Sequence, residues 1–123
     1  MKKLLQLKTS LIVAGVMALP VAHAANITKA DYSAGKARIS ADYSTDKAAC
    51  AALKSNAKDV CIEEAKAKEK VAKAELEFAF TGKPADANKV LVAKASTAYA
   101  VAKERCDDQA GNAKDVCVKE AKA

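Results

Sequence analysis

An all-α fold is predicted for this chain by three observations. Long runs rich in alanine, lysine and glutamate carry apolar residues at three- and four-residue steps. The segment CAALKSNAKDVCIEEAKA starting at Cys50 returns as CDDQAGNAKDVCVKEAKA starting at Cys106. Glycine and proline are sparse, and only Thr81-Gly82-Lys83-Pro84 gives an unmistakable break. Together they predict two tandem, disulfide-stapled antiparallel helical hairpins, made of three long helices and a short C-terminal one. Whether these close into one bundle or form an elongated rod is left open at this stage.

Residues 1–24 read as a secretory signal peptide. Lys2, Lys3 and Lys8 form a positive start, an apolar run follows from Leu11 to Leu19, Pro20 breaks it, and Ala22-His23-Ala24 has the small-x-small pattern of a cleavage site. Cleavage is expected after Ala24, leaving an all-α domain over 25–123 with no integral membrane segment. No Cys stands at the junction, so a lipid anchor is not expected. Removing three lysines lowers the net charge from +6 to +3, and the only histidine, His23, leaves too. Imidazole catalysis and imidazole metal ligation are thereby excluded for the mature chain. All four cysteines remain, and an even number in a small exported chain implies two disulfides in an oxidising compartment, here the periplasm.

The first helix starts at Thr28, whose hydroxyl can cap it, with Asp31 three residues on at the positive helix end. Asn26-Ile27-Thr28 also matches a glycosylation sequon, read here as chance. Gly35 costs about 1 kcal/mol against alanine inside a helix, so fraying or a kink is expected before Lys36. Tyr32, Ile39, Tyr43, Cys50 and Leu53 then share a stripe that Lys36 and Asp46 interrupt. Asn56 is expected to cap a second helix over about 57–80, with Asp59 near its positive end, and Asn112 with Asp115 to do the same for a fourth over about 113–123. Gly111 is expected in the left-handed conformation, closing the preceding helix.

Cys61, Ala65, Ala72, Leu76 and Ala79 form the second helix's apolar line. Glu64–Lys68 and Glu69–Lys73 are i,i+4 pairs worth a few tenths of a kcal/mol each. A third helix, about 86–109, carries Val92, Ala95, Tyr99, Ala102 and Cys106. Sliding the chain by 56 residues superposes 37–67 on 93–123, with Ser40 on Ser96, Tyr43 on Tyr99 and Cys50 on Cys106.

In each copy the cysteines stand about equally far from the turn, and such positions face each other across an antiparallel hairpin. The pairs are therefore expected to be Cys50–Cys61 and Cys106–Cys117. Ten intervening residues fit neither the Cys-x-x-Cys of redox catalysis nor the close pairs of a Cys₄ zinc site. Neither a catalytic constellation nor a cofactor motif accompanies them. Glu63/Glu64 and Asp107/Asp108 are adjacent carboxylates, but helix neighbours diverge by about 100° and nothing apolar encloses them. Glutamates alternate through the lysine-rich run 63–77, which lacks the one-sided positive charge of a nucleic-acid footprint. Tyr32, Tyr43 and Tyr99 read as core side chains with rim hydroxyls, while Phe78 and Phe80 either cap an end or leave an apolar edge.

The sequence from DKAAC through NAKDVC and EEAKAKEKVAKAELE to CDDQAGNAKDVCVKEAKA resembles a group of small exported proteins of Proteobacteria loosely labelled cell-envelope proteins. The resemblance spans about 36–123. It implies a periplasmic helical protein and carries over no functional residues. In composition the helices are similar to the long helical region of TolA. The expected role is non-enzymatic: a structural, interaction or stress-related factor of the cell envelope, with envelope proteins as partners. The alternatives are a small periplasmic chaperone for unfolded clients, and redox or metal handling through the four cysteines. Self-association is open, since bulky apolar residues are few.

Overall fold

The computed structural model describes residues 26–123; the signal peptide read at 1–24 and its cleavage after Ala24 lie outside the described residues. Helix α1 (Lys29–Ala49) begins at the expected cap. The Thr28 hydroxyl accepts from the Asp31 amide at 3.1 Å, and the Asp31 carboxylate accepts from the Thr28 amide at 3.3 Å, so two orphan donors are satisfied reciprocally. The helix does not fray at Gly35; it runs through it unbroken. A Cβ there would stand 2.7 Å from Leu76 Cδ1. The glycine's helix-propensity cost is thus offset by a close approach of two helices.

A 3₁₀ turn (Cys50–Ala52) and an extended Leu53 and Lys54 lead into α2 (Ser55–Thr81). At 27 residues this is the longest helix, about 40 Å. Gly82, left-handed at φ 63°, stops it, with its amide donating to the Phe78 carbonyl at 2.8 Å. Pro84 then occupies the first turn of α3 (Pro84–Arg105), where its missing amide costs nothing. A second 3₁₀ turn (Cys106–Asp108) precedes α4 (Gly111–Lys122).

The caps expected of Asn56 and Asn112, with Asp59 and Asp115, are not formed. Lys54 and Ala110 occupy the N-cap positions, and neither helix start receives a side-chain hydrogen bond. The chain reverses instead through left-handed residues, Ser55 at φ 50° and Gly111 at φ 56°, each immediately before the asparagine. This reversal takes the place a cap would need and moves the asparagine into the first turn. The Asn56 side-chain nitrogen is buried there without a hydrogen-bond partner. Gly111 is left-handed as expected, but it opens α4, because α3 and its 3₁₀ extension have already ended at Asp108. Glycine accepts that backbone freely, whereas at Ser55 it carries a penalty of about 1 kcal/mol or more.

Packing is serial. α1 lies on α2, α2 on α3, and α3 on α4, with α2 and α3 sharing the most extensive contact. The result is an open array of antiparallel helices rather than a closed bundle. Among the described residues its apolar core consists of Cys50, Ala65, Val90, Ala93 and Cys106, joined by the buried polar residues Asp86 and Thr97. Disulfide sulfur and alanine replace the leucines and phenylalanines of an ordinary helical core.

One expected stripe is displaced. The face of α3 that packs on α2 is Asp86, Val90, Ala93 and Thr97, not the line through Val92 and Ala95. Val92 is 66% exposed. The line read from the sequence is the repeat counterpart of the α1 face that meets α2, and on α3 it points the opposite way.

Candidate functional site

Both disulfides form as the spacing predicts. Cys50 pairs with Cys61 and Cys106 with Cys117, at Cα separations of 5.6 and 5.7 Å. Each ties the 3₁₀ turn after one helix to the second turn of the next. Packed helix axes usually stand about 8–10 Å apart, so each bond draws its pair together at one end. Cys50 and Cys106 are 1% and 0% exposed, and among the described residues no cysteine is free.

Two side-chain polar contacts join α1 to α2. Lys68 donates to Asp46 at 2.9 Å, which explains the aspartate that interrupts the apolar stripe. That hydrogen bond, then the aspartate's charge, raises the Lys68 ammonium above its ordinary value. Lys36 similarly lies 5.0 Å from the Tyr32 ring centre. The Tyr32 hydroxyl donates to Glu77 at 2.6 Å and the ring stacks on Phe80 at 4.5 Å. Phe80 therefore caps this end, while Phe78 remains 39% exposed. Beside the first clamp, Ile39, Tyr43, Asp46, Ala65, Lys68 and Ala72 line a groove of about 300 Å³.

The α2–α3 seam is held by Glu64–Arg105 at 2.5 Å, Glu75–Lys94 at 2.7 Å, and Lys70 donating to the Ser96 hydroxyl at 2.9 Å. The Glu69–Lys73 pair forms at 2.6 Å, but Glu64 and Lys68 do not pair with each other: each reaches a neighbouring helix instead. The adjacent acids also face cations, Glu63 at Lys66 and Asp107 at Lys114. No pair of carboxylates is brought together for acid–base work at these positions.

Asp86 is the polar residue that sequence reasoning missed. It is 5% exposed, at the α2–α3 turn, where its carboxylate accepts from the Lys89 ammonium at 2.7 Å and the Thr81 hydroxyl at 2.5 Å. The Lys89 bond, then the Thr81 bond, holds its carboxyl below the ordinary 3.8. The signal was present as Thr81-x₄-Asp86 across a Gly-Lys-Pro break. A lowered folded value means that the stabilisation is whole above the unfolded value and is lost as pH falls through the folded one. Asp86→Asn is expected to lower the melting temperature at pH 7. It should also flatten the fall in stability between about pH 5 and about pH 2. Thermal melts of both proteins across that range check this, and identical acid limbs would refute it.

Among the described residues no group of three or more His, Cys, Asp or Glu side chains converges for a metal, and no helix is long and apolar enough to cross a membrane. No protein family matches the chain by sequence, and neither the curated proteins nor the solved structures show significant similarity to it.

Proposed function

We propose that this chain is an exported, non-enzymatic protein of the bacterial cell envelope, working in the periplasm as a structural or interaction element with a role under envelope stress. The observation that carries this reading is the pair of disulfides, each with one buried cysteine, clamping helices whose other buried apolar residues, among those described, are two alanines and one valine. Such staples suit an oxidising compartment. A serial array joined by ion pairs presents long charged helix faces, which fit contacts with other envelope proteins better than enclosure of a small substrate. Chemical cross-linking in intact cells should trap a defined envelope partner. A chain recovered without any partner, together with no phenotype on deletion under envelope stress, would overturn the reading.

A second reading, a small periplasmic chaperone, is favoured by the apolar residues scattered on charged helices: Leu53, Phe78, Leu91, Val92 and Val116 are 39–66% exposed. Such a protein suppresses aggregation of denatured periplasmic proteins at stoichiometric ratio. Failure to do so removes it. Redox or metal handling draws no support from cysteines that are all paired, two of them out of reach of solvent.

A further inference from the structure

We infer that α3 carries a self-association surface, and that a second copy of this chain, running antiparallel, occupies it. The internal repeat identifies the surface. On α1, Gly35, Ile39 and Tyr43 form the face against α2: Gly35 meets Leu76, and Ile39 and Tyr43 line one groove with Ala65 and Ala72. Their counterparts 56 residues on are Ala95 and Tyr99 within the repeat and Leu91 two residues before its second copy begins. At about 100° per residue, this face lies on the far side of α3 from Ala93 and Thr97, which meet α2.

In the second repeat the covering helix is α4. α4 crosses α3 at Cys106–Cys117 and has five helical residues beyond Cys117. These reach back along α3 to about Val101. Before that point the face is bare. Leu91 and Val92 are 65% and 66% exposed, and Asn88, Ala95 and Ala98 are exposed as well. The seam thus continues an interface that the fold has already begun, and the repeat gives its cover: an antiparallel helix.

A copy of α3 meets that requirement. Asn88, Leu91, Ala95 and Ala98 follow the alternating three- and four-residue spacing of a two-helix seam. Antiparallel pairing sets Leu91 of each copy against Ala95 of the other, and Asn88 against Ala98. A bulky residue meets a small one in every layer, twice over by two-fold symmetry. Charge does not oppose it, because the flanking Lys94 is already held by Glu75 within its own chain. About three turns of helix bury less than the roughly 1,200–2,000 Å² of a standard interface, so the association is weak and reversible.

The inference rests on the fold and is independent of the envelope role. Sedimentation equilibrium of the oxidised protein from about 10 μM to about 1 mM should show a monomer–dimer equilibrium. Leu91→Glu and Ala95→Glu, both at exposed positions, should each weaken it about tenfold or more with helicity unchanged by circular dichroism. Val116→Glu, at an exposed position on α4, should leave it intact. A monomer throughout, which would leave the seam to a foreign helix, overturns the inference. So does a dimer indifferent to both glutamates or equally lost in Val116→Glu.

Discussion

Reduction of both disulfides is expected to unfold most of this protein at 25 °C. Each bond closes a loop with a sequence separation of 11. On the chain-entropy account such a loop restrains the unfolded chain by a little under about 3 kcal/mol. Two of them supply about 5–6 kcal/mol, comparable to the whole stability of many small domains, about 5–15 kcal/mol. Little else replaces them. Among the described residues, besides Cys50 and Cys106, the buried apolar residues are two alanines and one valine. The ion pairs along both seams are largely exposed, and each such pair contributes about 0–1 kcal/mol. Far-UV circular dichroism before and after dithiothreitol should show more than half of the helical signal lost. A reduced protein melting within a few degrees of the oxidised one would show that the core is sufficient and the staples incidental.

The two bonds should also differ in reach. α4 has 12 residues and packs only on the end of α3, and an isolated helix of that length is marginal in water. Removing Cys106–Cys117 frees α4 locally, whereas removing Cys50–Cys61 loosens α1 along its whole 21-residue contact with α2. Here the repeat is chemically symmetric and energetically unequal.

Elements with strong local chemistry were legible in the sequence. Thr28 with Asp31 specified a capping box, Gly82 with Pro84 specified a stop and a restart, and equal spacing about each turn specified the disulfide partners. These signals lie within a few residues of one another. What was not legible required knowing where a neighbouring helix runs. The stripe through Val92 and Ala95 is a good apolar line, but α2 packs on the opposite face, chosen for small residues and the satisfied polar groups Asp86 and Thr97. The Thr97 hydroxyl bonds back to the Ala93 carbonyl at 2.8 Å and so can be buried. Asn56 failed as a cap for a related reason: the disulfide loop sets the backbone before it, and a left-handed Ser55 cannot be inferred from propensity. Gly35 read as a weak point until Leu76 was known to lie over it.

Ala65→Leu should reveal how far each clamp dictates its surroundings. Ala65 is 2% exposed and stands one helical turn beyond Cys61, on the α1-facing side of α2. Overpacking a helix interface ordinarily costs about 1–3 kcal/mol, because the elements can shift apart to admit the larger side chain. Here they cannot. The Cα atoms at Cys50 and Cys61 are fixed 5.6 Å apart, and one turn advances only about 5.4 Å along the axis. The cost should therefore lie near the top of the range, about 3 kcal/mol. Farther along the same seam α2 does place a leucine, Leu76, and there α1 presents Gly35. Ala93→Leu is the control. It is equally buried at 4%, but faces α2 across a seam with no disulfide, so α2 and α3 can part and the cost should be lower. Urea unfolding should rank Ala65→Leu as the more destabilising of the two. In a Cys50→Ala/Cys61→Ala background its cost should fall by about 1 kcal/mol or more, a coupling of the size seen for residues that share a constraint. Equal costs with and without the disulfide would mean that alanine at 65 answers to the helices' own packing, and that the clamp merely follows it.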